Sequence, residues 1–325
     1  MRRAAVCIAW GVLAWTALSA GSARGQTLYW AESDGIRRAA LDGVGAENVV
    51  AGWPEAIAVD AAAGLFYWTD NPPMGSPLPG RIHSTGLGGA GDQVLVSSLP
   101  YPLGIAVLSV PGDRVPASIY WTDGSAGSIH RADLDGSNPE TLVSGLVSPF
   151  GIALDAAGGW MYWTRTGADP KSGAIQRARL DGSEVKDVVA DLTGPTTGIA
   201  LDASAGKLYW GYVDPNIDSI YAGMIKRCNL DGSDLETIVT GLLYPVGIAL
   251  DLDGGHVFWT DTTLTWAVGT LRRANLDGSD ATILLDGLGS PRGIALNLAP
   301  EPAALPLAAL GALLALRRRT ARRRA

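Results

Sequence analysis

Sulfur is scarce in this 325-residue chain, which holds two cysteines and four methionines. Cys7 lies in an apolar leader, so Cys228 is expected to be the only thiol of the mature protein. That excludes an internal disulfide and a cysteine-built metal site. Three histidines leave little material for metal or acid–base clusters, and His256 has no cysteine or second histidine near it. Three phenylalanines against 42 glycines and 19 prolines speak against long helices and for many short elements divided by turns. Neither a glycine-rich phosphate loop nor a nucleophilic-serine motif occurs. Positive charge is also missing where it would matter for nucleic acid. Nine of the 25 basic residues sit at the two ends, leaving 16 against all 32 acidic residues between Gln26 and Pro302, a body at −16. Such a body repels phosphate backbones, so no nucleic-acid partner is expected. What is present is 47% hydrophobic and 18% charged residues, enough for one large globular domain or two ordinary ones.

Both ends read as addresses. Residues 1–25 carry Arg2 and Arg3, an apolar run and a small-residue stretch, the layout of a secretory signal peptide; the alternative is an uncleaved anchor, although the run is shorter than the roughly 20 residues a span prefers. Residues 299–325 join Pro300-Glu301-Pro302 to a 14-residue apolar run and then to Arg317, Arg318, Arg319, Arg322, Arg323 and Arg324. This three-part pattern resembles the bacterial PEP-CTERM sorting tail. The resemblance implies a short transmembrane segment with its arginines inside, an exosortase-type processing partner, transient membrane association, and a final place in the cell envelope or outside the cell.

Between the ends an aromatic pair recurs as Tyr29-Trp30, Tyr67-Trp68, Tyr120-Trp121, Tyr162-Trp163, Tyr209-Trp210 and Phe258-Trp259, with tryptophan spacings of 38, 53, 42, 47 and 49 residues. A period of this size marks a repeat architecture. Each copy adds a phrase ending in Leu-Asp-Gly (Leu-Gly-Gly in the second) and a phrase close to Gly-Ile-Ala-Leu-Asp. Short buried runs divided by Asp-Gly turns predict four strands per copy, hence an all-β, six-bladed propeller over residues 26–298. The chain enters at Leu28-Tyr29-Trp30 without an inner strand and ends with a spare one, Gly293 to Asn297, which predicts ring closure by the C-terminal strand and a monomeric ring. These copies resemble the class B (YWTD) repeats of the low-density lipoprotein receptor, also seen in nidogen-like proteins. Three copies depart from the pattern, reading YWAE, YWTR and YWGY, and no cysteine-rich module flanks the ring. The resemblance therefore implies the fold, without the receptors' ligands or their pH-dependent release.

His83 and His130 occupy a repeat position that elsewhere holds Arg37, Gln176, Lys226 and Arg272, which predicts a solvated strand face rather than catalysis or metal binding. Cys228 stands where other copies have alanine, which predicts a small buried slot. Asp231-Gly-Ser-Asp234, Asp277-Gly-Ser-Asp280 and Asp251-Leu-Asp253 look like calcium loops, but the twelfth position counted from Asp251 is Thr262 rather than Glu, and turn chemistry accounts for them. At the channel mouth the predicted set is Glu55, Leu103, Phe150, Thr197, Val246 and Arg292, with one carboxylate. A calcium-dependent propeller hydrolase or lactonase needs several carboxylates or amides there. The reading is therefore a non-enzymatic binding or scaffold protein that needs no cofactor or metal, with the enzyme as the alternative. The long variable segments fall on one predicted face, except SVPGDRVPAS (109–118) on the opposite one. The candidate ligand-binding residues are Trp53, Glu55, Tyr101, Phe150, Tyr244, Trp266 and Arg292, taking a protein, peptide or polysaccharide. The competing role for these aromatics is to plug the channel between blades.

Overall fold

The computed structural model describes residues 26–298 except Met74 and residues 110–115, 167–172, 218–221 and 264–267. The leader, the sorting tail and Trp266 lie outside the described residues. No described helix is long and apolar enough to cross a membrane.

Twenty-four strands form six antiparallel sheets of four, and no helix occurs among the described residues. Inner strands Pro54–Asp60, Pro102–Leu108, Pro149–Asp155, Thr196–Asp202 and Tyr244–Asp251 open blades 2 to 6. The sixth inner strand, Ile294–Asn297, pairs with Thr27–Glu32 in register from Thr27↔Asn297 to Trp30↔Ile294 and so completes blade 1. Each inner strand contacts the next, all the way round. The all-β, six-bladed propeller closed by the C-terminal strand is therefore the fold. The last inner strand begins one residue later than expected.

The recurring Tyr-Trp pair follows from strand geometry. Successive side chains point to opposite sheet faces, so adjacent aromatics serve two interfaces at once. Tyr162 of blade 4 packs with Leu208 and Trp210 of blade 5, Tyr209 of blade 5 with Trp259 of blade 6, and Phe258 of blade 6 with Trp30 of blade 1. All six tryptophans are at most 1% exposed, which makes these layers the core of the molecule. Complete burial of such rings contributes several kcal/mol each, on the order of the 3–5 lost when one is cut to alanine.

Glycine in Gly-Ile-Ala-Leu-Asp permits close approach at the axis. A Cβ at Gly104 would stand 2.3 Å from the Phe150 carbonyl oxygen, and one at Gly198 2.5 Å from that of Val246. Threonine of the YWTD phrase stitches neighbouring inner strands: the hydroxyls of Thr69, Thr122 and Thr164 accept from Ala56, Gly104 and Gly151 N–H and donate to the carbonyls of Leu103, Phe150 and Thr197 at 2.5–2.7 Å. Arginine of the third strand makes an outer stitch. Arg38, Arg131, Arg177 and Arg227 donate to the carbonyls of Leu87, Leu180, Leu230 and Leu276, each on the next blade.

Candidate functional site

The aspartate of the YWTD phrase is not at the channel; it holds the loop that enters the inner strand of its own blade. Asp70 accepts the Trp53 N–H at 2.9 Å, Asp123 that of Tyr101 at 3.1 Å, and Asp261 those of Leu243 and Tyr244 at 3.0 and 2.8 Å. Glu32, in the YWAE copy, reaches Gly289 N–H at 2.8 Å with its longer side chain. The repeat thus fixes backbone directly beneath three of the expected face aromatics while leaving their rings to the loop. Burial opposes the charge on Asp70, yet the neighbouring His83 imidazole and the hydrogen bond from the Trp53 N–H outweigh it and hold the carboxyl below its ordinary value. At Asp261 burial wins over its two amide partners and Arg272, and the pKa is raised.

The expected site residues divide into two groups. Trp53 and Tyr101 are 39% and 37% exposed, on blades 2 and 3. Phe150 and Tyr244 are half-buried and lie within inner strands rather than ahead of them, as do Glu55, Leu103, Thr197 and Val246. Burial raises the hydroxyl pKa of both Tyr101 and Tyr244. Glu55 and Phe150 line the axial cavity together with Leu103, Val246 and the axial glycines, and Arg292 forms an ion pair with Glu55. Burial pulls the Arg292 guanidinium below its ordinary pKa. The cavity volume is about 80 Å³, room for a few waters but well short of the roughly 300–1,000 Å³ of small-molecule pockets. Glu55 is its one carboxylate, and that charge is already neutralised. Among the described residues no group of three or more His, Cys, Asp or Glu is placed to hold a metal ion.

Four further apolar side chains on the same face were not singled out from the sequence. Leu78, Val147, Ile217 and Val268 are 40–51% exposed and lie in connections from second to third strand or from outer to next inner strand, as Trp53 and Tyr101 do. Their signal was available, since they sit in the same variable segments, but aliphatic residues in loops do not stand out in a sequence. Trp53 and Tyr101 on adjacent blades, with aliphatic loop residues on the same face, form an exposed apolar surface beside a narrow channel.

His83 corrects an expectation. His83 is 6% exposed and stacks on Trp68 at 4.2 Å, its Nδ1 3.2 Å from Asp92; His130 stacks on Trp121 at 5.2 Å. The register places this position directly opposite the tryptophan, so the tolerated residues are those that can cover an indole face; His83 does so buried, whereas His130 stays partly exposed. His256 opens the second strand of blade 6. Cys228 is wholly buried, and burial pushes its thiol up to about 12, so it is an inert filler of the expected slot.

Residues 118–156 match the family described as low-density lipoprotein receptor repeat class B. That segment runs from the second strand of blade 3 through the inner strand of blade 4. A comparison with curated protein sequences finds no match. Among solved structures, a chain of the nidogen/laminin complex is similar at 24% identity and a TM-score of 0.69, over 84% of this chain and 99% of that one. TolB from Acinetobacter baumannii is similar at 16% identity and 0.63, over 85% of this chain and 67% of that one. A putative TolB from Agrobacterium tumefaciens is similar at 12% and 0.60, over 84% and 97%. At these identities the likeness is one of fold.

Proposed function

We propose that this propeller is an exported, non-enzymatic binding or scaffold protein whose long-loop face captures a macromolecular ligand, with a protein or peptide ahead of a polysaccharide. The observation that carries the reading is the gathering of Trp53, Tyr101, Leu78, Val147, Ile217 and Val268 on one face, exposed by 37–51%, around an axial cavity of about 80 Å³. Exposed aromatics on pinned backbone give large contact area at small entropic cost. The similar nidogen structure is of a complex with laminin, which supports a protein ligand. A channel hydrolase or lactonase finds one carboxylate at the cavity, already paired with Arg292. The ring is proposed to act as a monomer. Its leader directs export, and Pro300, Glu301, Pro302 and the terminal arginines present the chain to an exosortase-type enzyme. Replacing Arg317, Arg318, Arg319, Arg322, Arg323 and Arg324 with glutamine is expected to block tail processing without changing the melting temperature, and normal maturation in the host would remove the sorting proposal.

Combined substitution of Trp53→Ala, Tyr101→Ala and Tyr244→Ala tests the face. Asp70, Asp123 and Asp261 hold backbone N–H groups, which the substitutions leave in place. The fold is therefore expected to survive, with a loss per site below the roughly 3–5 kcal/mol of a fully buried aromatic. Capture of envelope proteins and exopolysaccharides by the immobilised chain is expected to fall at least tenfold. Unchanged capture by a folded triple variant would exclude this face, and a collapse in stability would make the rings channel plugs.

A further inference from the structure

On the face opposite the long loops, blade 4 reverses the charge pattern of the repeat. In blades 1, 3 and 5 the third-strand arginine lies across from a glutamate on the outer strand, as Arg38↔Glu47, Arg131↔Glu140 and Arg227↔Glu236, and each pair is an ion pair of 2.5–2.7 Å. In blade 4 the partner of Arg177 is Lys186. Two residues along the same strand face is Arg179, where blades 3, 5 and 6 have Asp133, Asn229 and Asn275. Directly across from Arg179 lies Trp160, where the other copies have Thr27, Leu65, Ser118, Lys207 and His256. Three departures from the repeat thus meet at one point.

They also touch. The guanidinium carbons of Arg179 and Arg177 lie 3.7 and 4.3 Å from the Trp160 ring centroid, and Lys186 Nζ lies 5.7 Å from it. Trp160 packs on the cluster between blades 4 and 5 that includes Tyr162, Leu208 and Cys228, so the ring is anchored and the cations stand at the rim of the inter-blade groove. Stacking on indole orders guanidinium groups that would otherwise sweep through solvent. Acids lie nearby as well: Glu184, 58% exposed, meets Arg179 at 3.2 Å, and Asp231 of the next blade, held by Ser233, acts on Arg177 through its charge. Among the described residues neither Arg177 nor Lys186 is in a salt bridge. On a body of −16 three cations thus gather around one indole, on three adjacent strands.

We propose that the Trp160, Arg177, Arg179 and Lys186 rim is a second binding site, distinct from the long-loop face, and that it takes the carboxylates of a uronate-bearing polysaccharide. Planar guanidinium forks match carboxylates in shape as well as charge. Cations held at strand spacing by an indole suit a stiff polymer with regularly placed carboxylates, since neither side loses much freedom on binding, whereas a flexible acidic peptide must be ordered.

The test borrows residues from the repeat itself. Lys186→Glu recreates the Arg–Glu pair of blades 1, 3 and 5, and Arg179→Asn recreates the residue of blades 5 and 6. Both are therefore expected to fold with wild-type melting temperatures. Binding of the full chain to polygalacturonate is measured at low salt, beside Lys207→Glu, which changes net charge as much as Lys186→Glu does but on blade 5. Lys186→Glu and Arg179→Asn are each expected to weaken binding on the order of tenfold, the worth of one charge-assisted hydrogen bond, with Lys207→Glu close to wild type. The tail arginines are common to all four proteins and cancel. Absent binding by wild type, an equal loss in Lys207→Glu, or a preference for polyglutamate over polygalacturonate overturns the proposal.

Discussion

A tryptophan in a β-strand has a flat ring and an N–H that both need a neighbour, and the blades of this protein meet the two needs unequally. Trp30 donates to Glu32, Trp68 to Thr85 and Trp163 to Gln176, while among the described residues the Nε1 of Trp121, Trp210 and Trp259 has no partner, and the Trp121 ring is covered by His130. Burial, opposed by the charge of Asp123, holds the His130 imidazole below its ordinary value. The folded state then takes up this proton less readily than the unfolded chain. The contribution of the neutral ring to stability is complete above about pH 6.5 and is lost as the pH falls through the lowered folded value. His130→Gln installs the residue of copy four, which bonds both the indole N–H and Asp187. Its urea midpoint is expected to change less than that of the wild type between pH 7.5 and pH 5, and parallel midpoints across that range would show that His130 does not carry the slope. From sequence alone this position looked solvated because it tolerates Arg, Lys, Gln and His. The structural requirement is a side chain flat or long enough to lie on indole, and residue type alone does not reveal that.

At the level of strands, the repeats are legible because period-2 placement of Tyr and Trp, and Asp-Gly turns, survive in nearly every copy. Substitutions between copies are less legible, because their compensation comes from a different strand. The YWGY copy lacks the threonine that stitches inner strands, and Gly211 stands in its place. Thr197, on the inner strand of the same blade, supplies the hydroxyl instead and donates to the Pro245 carbonyl at 2.6 Å. It also fills the space, since a Cβ on residue 211 would lie 2.2 Å from Thr197 Oγ1. Restoring the consensus is therefore expected to do harm. Gly211→Thr is predicted to destabilise by about 1–3 kcal/mol through overpacking, and Thr197→Ala by a similar amount through the lost buried hydrogen bond. The double variant moves the hydroxyl back to the second strand and is expected to recover at least half of the summed loss. Strict additivity in this double-mutant cycle would mean that the two positions do not share one slot.

For the whole molecule, closure depends on four residues. Ile294–Asn297 provides the inner strand of blade 1, and its side chains alternate between two interfaces, Ile294 packing with Trp30 and Phe258 toward blade 6 and Ala295 with Tyr29 and Trp68 toward blade 2. The axial cavity was harder to foresee than the closure. Its lining is set by how close glycine lets six strands approach, a distance that no motif states, and the pairing of Glu55 with Arg292 joins residues 237 positions apart. That ion pair itself belongs to closure, since Arg292 N–H also bonds the Ala31 carbonyl and Gly293 N–H the Glu55 carbonyl, which ties the last segment to blades 1 and 2. The main contacts of each blade are with its two neighbours, and the C-terminal strand is the element that completes the sheet of blade 1 between blades 6 and 2. Deleting Gly293 to Asn297 opens the ladder along Thr27–Glu32 and uncovers aromatic clusters on both of its flanks. An unpaired strand beside exposed indole seeks another chain. The deleted protein is expected to lose at least about 10 °C in melting temperature, more than the roughly 2–4 °C per kcal/mol of a domain this size would give for a single lost contact, and to elute as dimers or larger species at micromolar concentration. Light scattering decides the matter, because a monomeric deletion variant with an unchanged melting temperature would mean that the C-terminal strand does not hold the ring shut.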